Sequence, residues 1–216
     1  MSLNYLDSLI VMILDSHTHH PAPQPEGIIS CSPRDFSAVV NQKYSVGIHP
    51  WRVGECTEDD FRQLDTLARR QDVVAIGEAG IDLQHKGAAP MYRQLQAFRR
   101  QIALSEEVGK PLVIHDVKAH DVVLALHKEY SPRQPWIIHG FRGKPSVLRM
   151  LMRPGVYFSF GEKYNVETLR AIPATLLLAE TDESPLSIAD IIESLSRDRG
   201  EELRPIIEKN TAALFR

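Results

Sequence analysis

Val73-Val74-Ala75-Ile76-Gly77-Glu78 runs from four residues suited to a buried strand, through a glycine, into a carboxylate. The same change of character recurs five times along the chain. Ile10–Leu14 leads into Asp15-Ser16-His17-Thr18-His19, and Tyr44–Ile48 into His49-Pro50. Pro111–Ile114 leads into His115-Asp116, Pro135–Ile138 into His139-Gly140, and Thr175–Ala179 into Glu180-Thr181-Asp182. Runs that are apolar at consecutive positions suit strands buried on both faces, as in a parallel sheet. Repeated delivery of imidazoles and carboxylates to one end of such strands points to the C-terminal rim of a barrel, where active sites collect.

The spacing predicts eight strands, at Leu9–Leu14, Gly27–Cys31, Tyr44–Ile48, Val73–Ile76, Pro111–Ile114, Trp136–Ile138, Val156–Phe160 and Thr175–Ala179. Segments of helical period alternate with most of them, which is the βα rhythm. Thr57 is placed to cap a helix over Glu58–Arg70. Met91, Leu95, Phe98 and Ile102 mark the clearest helical stripe, stopped by Gly109 and Pro111. Further helices are expected around Val122–Leu126, Val147–Met152, Ile188–Leu195 and Glu201–Leu214. The rhythm fails early. Pro21-Ala22-Pro23-Gln24-Pro25 excludes a helix interior, so no first helix is expected, with only a short second element around Asp35–Val40. At 216 residues, against ~250 for a full (β/α)₈ barrel, the expectation is a trimmed TIM-type α/β barrel. It would be one domain over residues 1–216, with residues 1–11 an extension.

Composition narrows the function. A net charge of −3 gives no broad basic footprint for duplex DNA. Two cysteines without metal spacing suit a reduced, cytoplasmic protein, and no run is long enough to span a bilayer. Walker A, dinucleotide and G-x-S-x-G motifs are absent. His17 and His19 point to the same side of an extended strand and can chelate one ion. Glu78 can bridge two ions. His115 and His139, each read alone, are more often core histidines; at matched positions in adjacent strands the metal reading wins. Asp182 can bind an ion and accept a proton from its water, with Glu180 orienting a ligand behind it. His49 is a weaker ligand candidate, suited to holding a phosphate oxygen or protonating a leaving group. Arg52, Lys118 and Arg142 follow strand ends, where they are either substrate contacts or surface cations. Imidazole plus carboxylate suits zinc, manganese or iron, while magnesium prefers more oxygen. Two such ions favour hydrolysis.

Taken in order, Asp15–His19, Gly47–Pro50, Gly77–Asp82, Gln94–Phe98, Gly109–His115, His139–Gly143, Glu180–Pro185 and Asn210–Phe215 resemble the TatD-type metal-dependent deoxyribonucleases, within the amidohydrolase-like barrels. The resemblance implies a TIM barrel with His17, His19, Glu78, His115, His139 and Asp182 binding one to three divalent ions, two being expected (Mg, Mn or Zn). It implies phosphodiester hydrolysis, often exonucleolytic on single-stranded DNA. The family typically has an arginine where Val117 stands, followed here by Lys118. The expected partner is a single-stranded DNA end or a small phosphodiester, with no membrane. Two other readings stand beside this one: a metal-dependent hydrolase of a small ester, amide or lactone, and a non-catalytic metal-binding protein.

Overall fold

A computed structural model describes residues 12–20 and 25–215. Among them eight strands close into a barrel in chain order: β1 (Asp15–Thr18), β2 (Gly27–Cys31), β3 (Lys43–Val46), β4 (Val73–Asp82), β5 (Leu112–Val117), β6 (Trp136–Ile138), β7 (Val156–Phe160) and β8 (Leu177–Ala179). Every neighbouring pair is parallel, including β8 back to β1. Helices α1 (Glu58–Ala68), α2 (Met91–Val108), α3 (His120–Tyr130), α4 (Pro145–Leu151) and α5 (Val166–Ala171) fill the crossovers from β3 onward. Two more, α6 (Ile188–Arg199) and α7 (Arg204–Leu214), follow β8. None of the described residues between β1 and β2 is helical, and one 3₁₀ turn at Pro33–Asp35 follows β2. Among the described residues the first two units thus carry no α-helix. Residues 1–11, which include the proposed extension and the start of the first apolar run, lie outside the described residues, as do 21–24 of the proline cluster.

Two expectations are corrected. The described part of the first apolar run, Met12–Leu14, carries no strand, and β1 is the polar Asp15-Ser16-His17-Thr18, buried throughout. Backbone pairing, not side-chain apolarity, sets its limits. Leu14 and Asp15 N–H both donate to Glu26 O, at 2.8 and 3.0 Å. The Ser16 hydroxyl is accommodated by Ala179 O at 2.9 Å and Ser159 Oγ at 2.7 Å. The stripe expected on α2 holds at Phe98 and Ile102, both fully buried, and is corrected towards its N-terminal end. Met91 is exposed and Leu95 only half-buried, whereas Gln94 and Gln101 are buried. Gln101 accepts from Ile48 N at 2.8 Å and donates to Ile48 O at 3.0 Å. Gln94 accepts from Asp82 N at 2.8 Å and donates to Asp82 and Ala89 carbonyls at 3.1 and 2.7 Å. Buried backbone groups at strand ends need partners, and two glutamines supply them just where β4 ends and where the chain turns into His49. Helix α5 was not expected. Asn165 caps it, accepting from Thr168 N at 2.9 Å.

The larger apolar core includes strand residues such as Ile76, Ile114, Phe158 and Phe160 together with helix residues such as Phe98, Leu148 and Ile191. A second cluster joins Ile28, Val113, Ile137 and Leu178 to Leu214 and Phe215 at the end of α7. Residues two apart share a strand face, so Val113, Ile137 and Leu178 lie directly below His115, His139 and Glu180. The polar centre is thus carried on an apolar floor. β4 runs ten residues, well past the expected Val73–Ile76, and passes through Glu78. Its register against β5 slips between Ile76↔Leu112 and Ala79↔Ile114. Such a bulge re-aims a side chain, and the one re-aimed here is Glu78. The strands also approach closely: a Cβ on Gly80, at φ +146°, would meet His115 O at 2.1 Å. Only glycine fits there.

Candidate metal centre

Glu78 stands at the middle of the rim, 5% exposed. Its Oε1 lies 2.6 Å from His115 Nδ1, 2.6 Å from His139 Nε2 and 3.1 Å from His49 Nε2. Its Oε2 lies 3.2 Å from His19 Nε2 and 3.5 Å from His17 Nε2. Asp182 closes the group, with Oδ1 3.9 Å from His17 Nε2 and 3.8 Å from His19 Nε2. Three triads offer ligand atoms within 4.8 Å of one another: His17, His19 and Asp182; His17, Glu78 and His139; His49, Glu78 and His115. The six residues, drawn from five strand ends, therefore meet at one rim, and Glu78 belongs to two of the triads.

The elements explain the aim of each side chain. His17 and His19 are two apart at the end of β1, with His19 N donating to Asp182 O and Asp182 N to His17 O, each at 3.0 Å. That exchange extends the β1–β8 edge by an isolated parallel bridge, Thr18↔Asp182. Asp15 ties the same edge from below, accepting from Thr181 N at 2.9 Å, Thr181 Oγ1 at 2.6 Å and His17 N at 3.3 Å. Burial pushes the Asp15 carboxyl up to about 7, although the Thr181 bonds pull it down. Glu180 Oε1 accepts from Gly140 N at 2.6 Å and sits 3.5 Å from His139 Nδ1.

Asp82 was not singled out as a site residue, yet it organises one side of the centre. Its Oδ2 accepts from Trp51 Nε1 at 2.7 Å and lies 3.1 Å from His115 Nε2. Its Oδ1 accepts from the Gln84 and His85 N–H groups at 2.8 and 2.9 Å. Burial works against its charge, but these donors prevail and hold it at about 2. The available signal was alternation: Glu78, Gly80 and Asp82 share a parity along one strand.

Hydrogen bonds assign the ring protons. An ionised Asp82 only accepts, so His115 carries its proton on Nε2. Its Nδ1 lies 2.6 Å from Glu78 Oε1, a spacing that suits a hydrogen bond or a cation shared by the two atoms. His139 has Glu180 behind Nδ1 at 3.5 Å, without hydrogen-bond geometry, and Glu78 in front of Nε2 at 2.6 Å. His49 differs. Its Nδ1 accepts from Trp51 N at 3.1 Å, which leaves the proton on Nε2, pointing at Glu78. His49 is therefore a donor to the centre and not a lone-pair ligand.

Charges follow the same geometry. Burial disfavours the charged form of Glu78, but His139 and hydrogen bonds from His115, His139 and His17 outweigh it and hold the carboxyl well below its usual range. Burial opposes a charge on His139, and Glu78 and Glu180 overcome it, raising the ring well above its usual value. His17 and His49 are lowered, chiefly by burial. A ring–ring spacing of 3.2 Å between His17 and His19 Nε2 matches a shared ion, since nitrogens about 2.0–2.1 Å from a tetrahedral metal stand roughly 3.3 Å apart. The donor set, imidazoles and carboxylates with ligand atoms within 4.8 Å of one another, fits divalent cations.

Two cavities open on the centre. One, of about 410 Å³, is bordered by His19, His49, Trp51, Arg52 and Asp182. The other, of about 500 Å³, is bordered by Trp51, Lys118, His120, Arg142 and Asp182. Lys118 and Arg142 are exposed and make no ion pair among the described residues. Arg52 is exposed and faces Glu55 Oε2 at 3.8 Å. Val117 borders the same cavity as Lys118, so the cation there is displaced by one residue from the expected arginine position. No helix among the described residues is long and apolar enough to cross a membrane.

A family model described as TatD related DNase matches residues 40–216. The chain is 34% identical over 196 residues to the uncharacterized metal-dependent hydrolase YabD of Bacillus subtilis (strain 168), covering 80% of this chain and 76% of that protein. It is 29% identical over 201 residues to the 3'-5' ssDNA/RNA exonuclease TatD of Edwardsiella piscicida, covering 80% and 77%. The crystal structure of YjjV, a TatD homolog from Escherichia coli K12, matches with a TM-score of 0.83 at 21% identity, over 96% of this chain and 99% of that one. At that identity the likeness speaks for the fold.

Proposed function

The chain belongs to the TatD-related DNase family, and from that premise we propose that it is a divalent-metal-dependent phosphodiesterase acting on the ends of single-stranded nucleic acid. The observation that carries the reading is the convergence of five imidazoles on the two oxygens of Glu78, with Asp182 beside them. In this reading His17, His19 and Asp182 hold one ion, and Glu78, His115 and His139 a second, with Glu78 shared. Such ions would supply activation of water and neutralisation of phosphoryl oxygens. Asp82 keeps the outer nitrogen of His115 in the protonated tautomer, so that its inner nitrogen is free to ligate, and Glu180 stands behind His139 as a compensating charge. Asp182 is more exposed than Glu78, Asp82 or Glu180, at 28% of its side chain, and is the group best placed to take a proton from an attacking water. His49, with its proton on Nε2, donates a hydrogen bond to a phosphate oxygen or to the departing oxygen. Lys118, Arg142 and Arg52 offer point or forked cations to flanking phosphates.

The test uses protein stripped of metal and reloaded separately with Mg²⁺, Mn²⁺ or Zn²⁺. Each form is given single-stranded DNA labelled at the 3′ or 5′ end, beside a panel of aryl esters. Stepwise shortening of the DNA with at least one metal is the expected result. Ester hydrolysis with no DNA turnover under any metal would replace this reading with the small-molecule hydrolase.

A further inference from the structure

Two aromatic rings at the rim take no part in the proposed chemistry. Trp51, 45% exposed, stacks on the exposed His85 with ring centroids 4.1 Å apart and planes at 18°. The other tryptophan, Trp136, is 1% exposed and belongs to the core. Packing therefore accounts for Trp136 and leaves Trp51 unexplained. Among the described residues the His85 ring contacts no other ring and its side chain makes no hydrogen bond. The pair is nonetheless held firmly. Asp82 accepts from the Trp51 indole at 2.7 Å and from the His85 backbone N–H at 2.9 Å, while also facing His115 at 3.1 Å. One buried carboxylate thus fixes both rings relative to a proposed metal ligand. The Trp51 ring centroid lies 4.8 Å from that of His49 and 6.0 Å from that of His115. Trp51 borders both cavities that open on the centre.

We propose that Trp51 and His85 form a stacking platform for an unpaired nucleobase, the base of the nucleotide whose phosphate enters the centre. The proposal rests on the nuclease reading above. A flat exposed ring pair accepts any base, because every base has a π-face. Recognition would be tolerant of sequence but intolerant of a missing base. A paired base is already stacked in its duplex, so the platform favours single strands. Phosphate contacts alone, from Lys118 and Arg142, make no such distinction.

The experiment compares a short single-stranded DNA with the same strand carrying an abasic terminal nucleotide, on the metal-loaded protein. The wild type should prefer the base-bearing end by about tenfold in kcat/KM, within the range expected for one stacked base. Trp51→Ala and His85→Ala should bring that ratio towards one, and Trp51→Phe, which keeps a ring but loses the bond to Asp82, should retain most of it. A purely structural role would slow both substrates together and leave the ratio unchanged, which would overturn the proposal. Fluorescence supplies a readout besides activity. Titration with oligothymidylate bearing terminal phosphorothioates should quench Trp51 emission, and an abasic analogue should not. A ribo-oligonucleotide arm, expected to quench as well, tests whether the base or the sugar is recognised. Equal quenching by base-bearing and abasic strands would overturn the platform while leaving the nuclease reading intact. Absence of both binding and turnover with every strand would overturn the nuclease reading, and the platform with it.

Discussion

Glu180 illustrates how much of the centre depends on residues that touch no ion in the proposed scheme. It is fully buried, accepts from Gly140 N and backs His139. Glu180→Gln keeps its shape and removes its charge, so metal affinity should fall by about 10–100-fold, the usual cost of losing an outer partner. Calorimetric titration with Mn²⁺ or Zn²⁺ measures this, and an unchanged affinity would remove Glu180 from the scheme. A second residue-scale consequence concerns His120, whose Nδ1 lies 2.7 Å from Asp116 Oδ2. That bond raises the ring above its ordinary value despite partial burial. A histidine raised on folding adds stability that is full below its unfolded value, about 6.5, and is lost as pH climbs through the raised folded value. The stability difference between wild type and His120→Ala should therefore be largest below pH ~6.5 and shrink in alkaline buffer. Urea titrations across that range check the sign; a difference that grows with pH would refute the pairing.

Single elements hold the rim in place through local chemistry. Helix α1 starts with a capping box in which Thr57 accepts from Asp60 N and Asp60 accepts from Thr57 N. Asp60 is further gripped by Arg34, at 2.5 and 2.7 Å, from the 3₁₀ turn after β2. This ties the shortened second unit to the first true helix. Thr57→Ala should cost about 1 kcal/mol, read as a shift in the urea midpoint with an unchanged slope. The β4–β5 pair tolerates far less. At Gly80 any side chain would be forced into His115 O, so Gly80→Ala should destabilise by about 4 kcal/mol or more. It should also abolish metal binding with it, because His115 rides on the displaced backbone. A folded Gly80→Ala variant with normal metal uptake would contradict the observed strand approach.

Across the whole molecule, the proposed centre draws on β1, β4, β5 and the segments after β3, β6 and β8. An ion there would cross-link strands distant in sequence and bind only the folded chain. With metal at a hundred times its dissociation constant, stabilisation should reach about 3 kcal/mol, or roughly 5–10 °C in melting temperature for a domain of this size. Differential scanning calorimetry with and without a chelator decides the point; coincident melting curves would mean that no ion binds the native state. The floor of Val113, Ile137 and Leu178, sealed by Leu214 and Phe215, leaves the rim as the open end of the barrel interior.

Strand count, order and the alternation with helices were legible in the chain because a parallel strand buried on both faces leaves a dense apolar run, and β2, β6 and β7 have the limits those runs predict. The imidazoles and carboxylates were legible because they interrupt such runs. Hidden from the sequence were the parts whose logic is contact. β1 is a polar segment that becomes a strand through Glu26 and β8. Gln94 and Gln101 show their role only where strand-end backbone groups need partners. Asp82 shows its role only once Trp51, His115 and two N–H groups are found around it. Periodicity reports what each residue does along its own chain, whereas tautomers, shifted ionisation and the aim of Glu78 are set by neighbours tens of residues away, and these exist only once the barrel has closed.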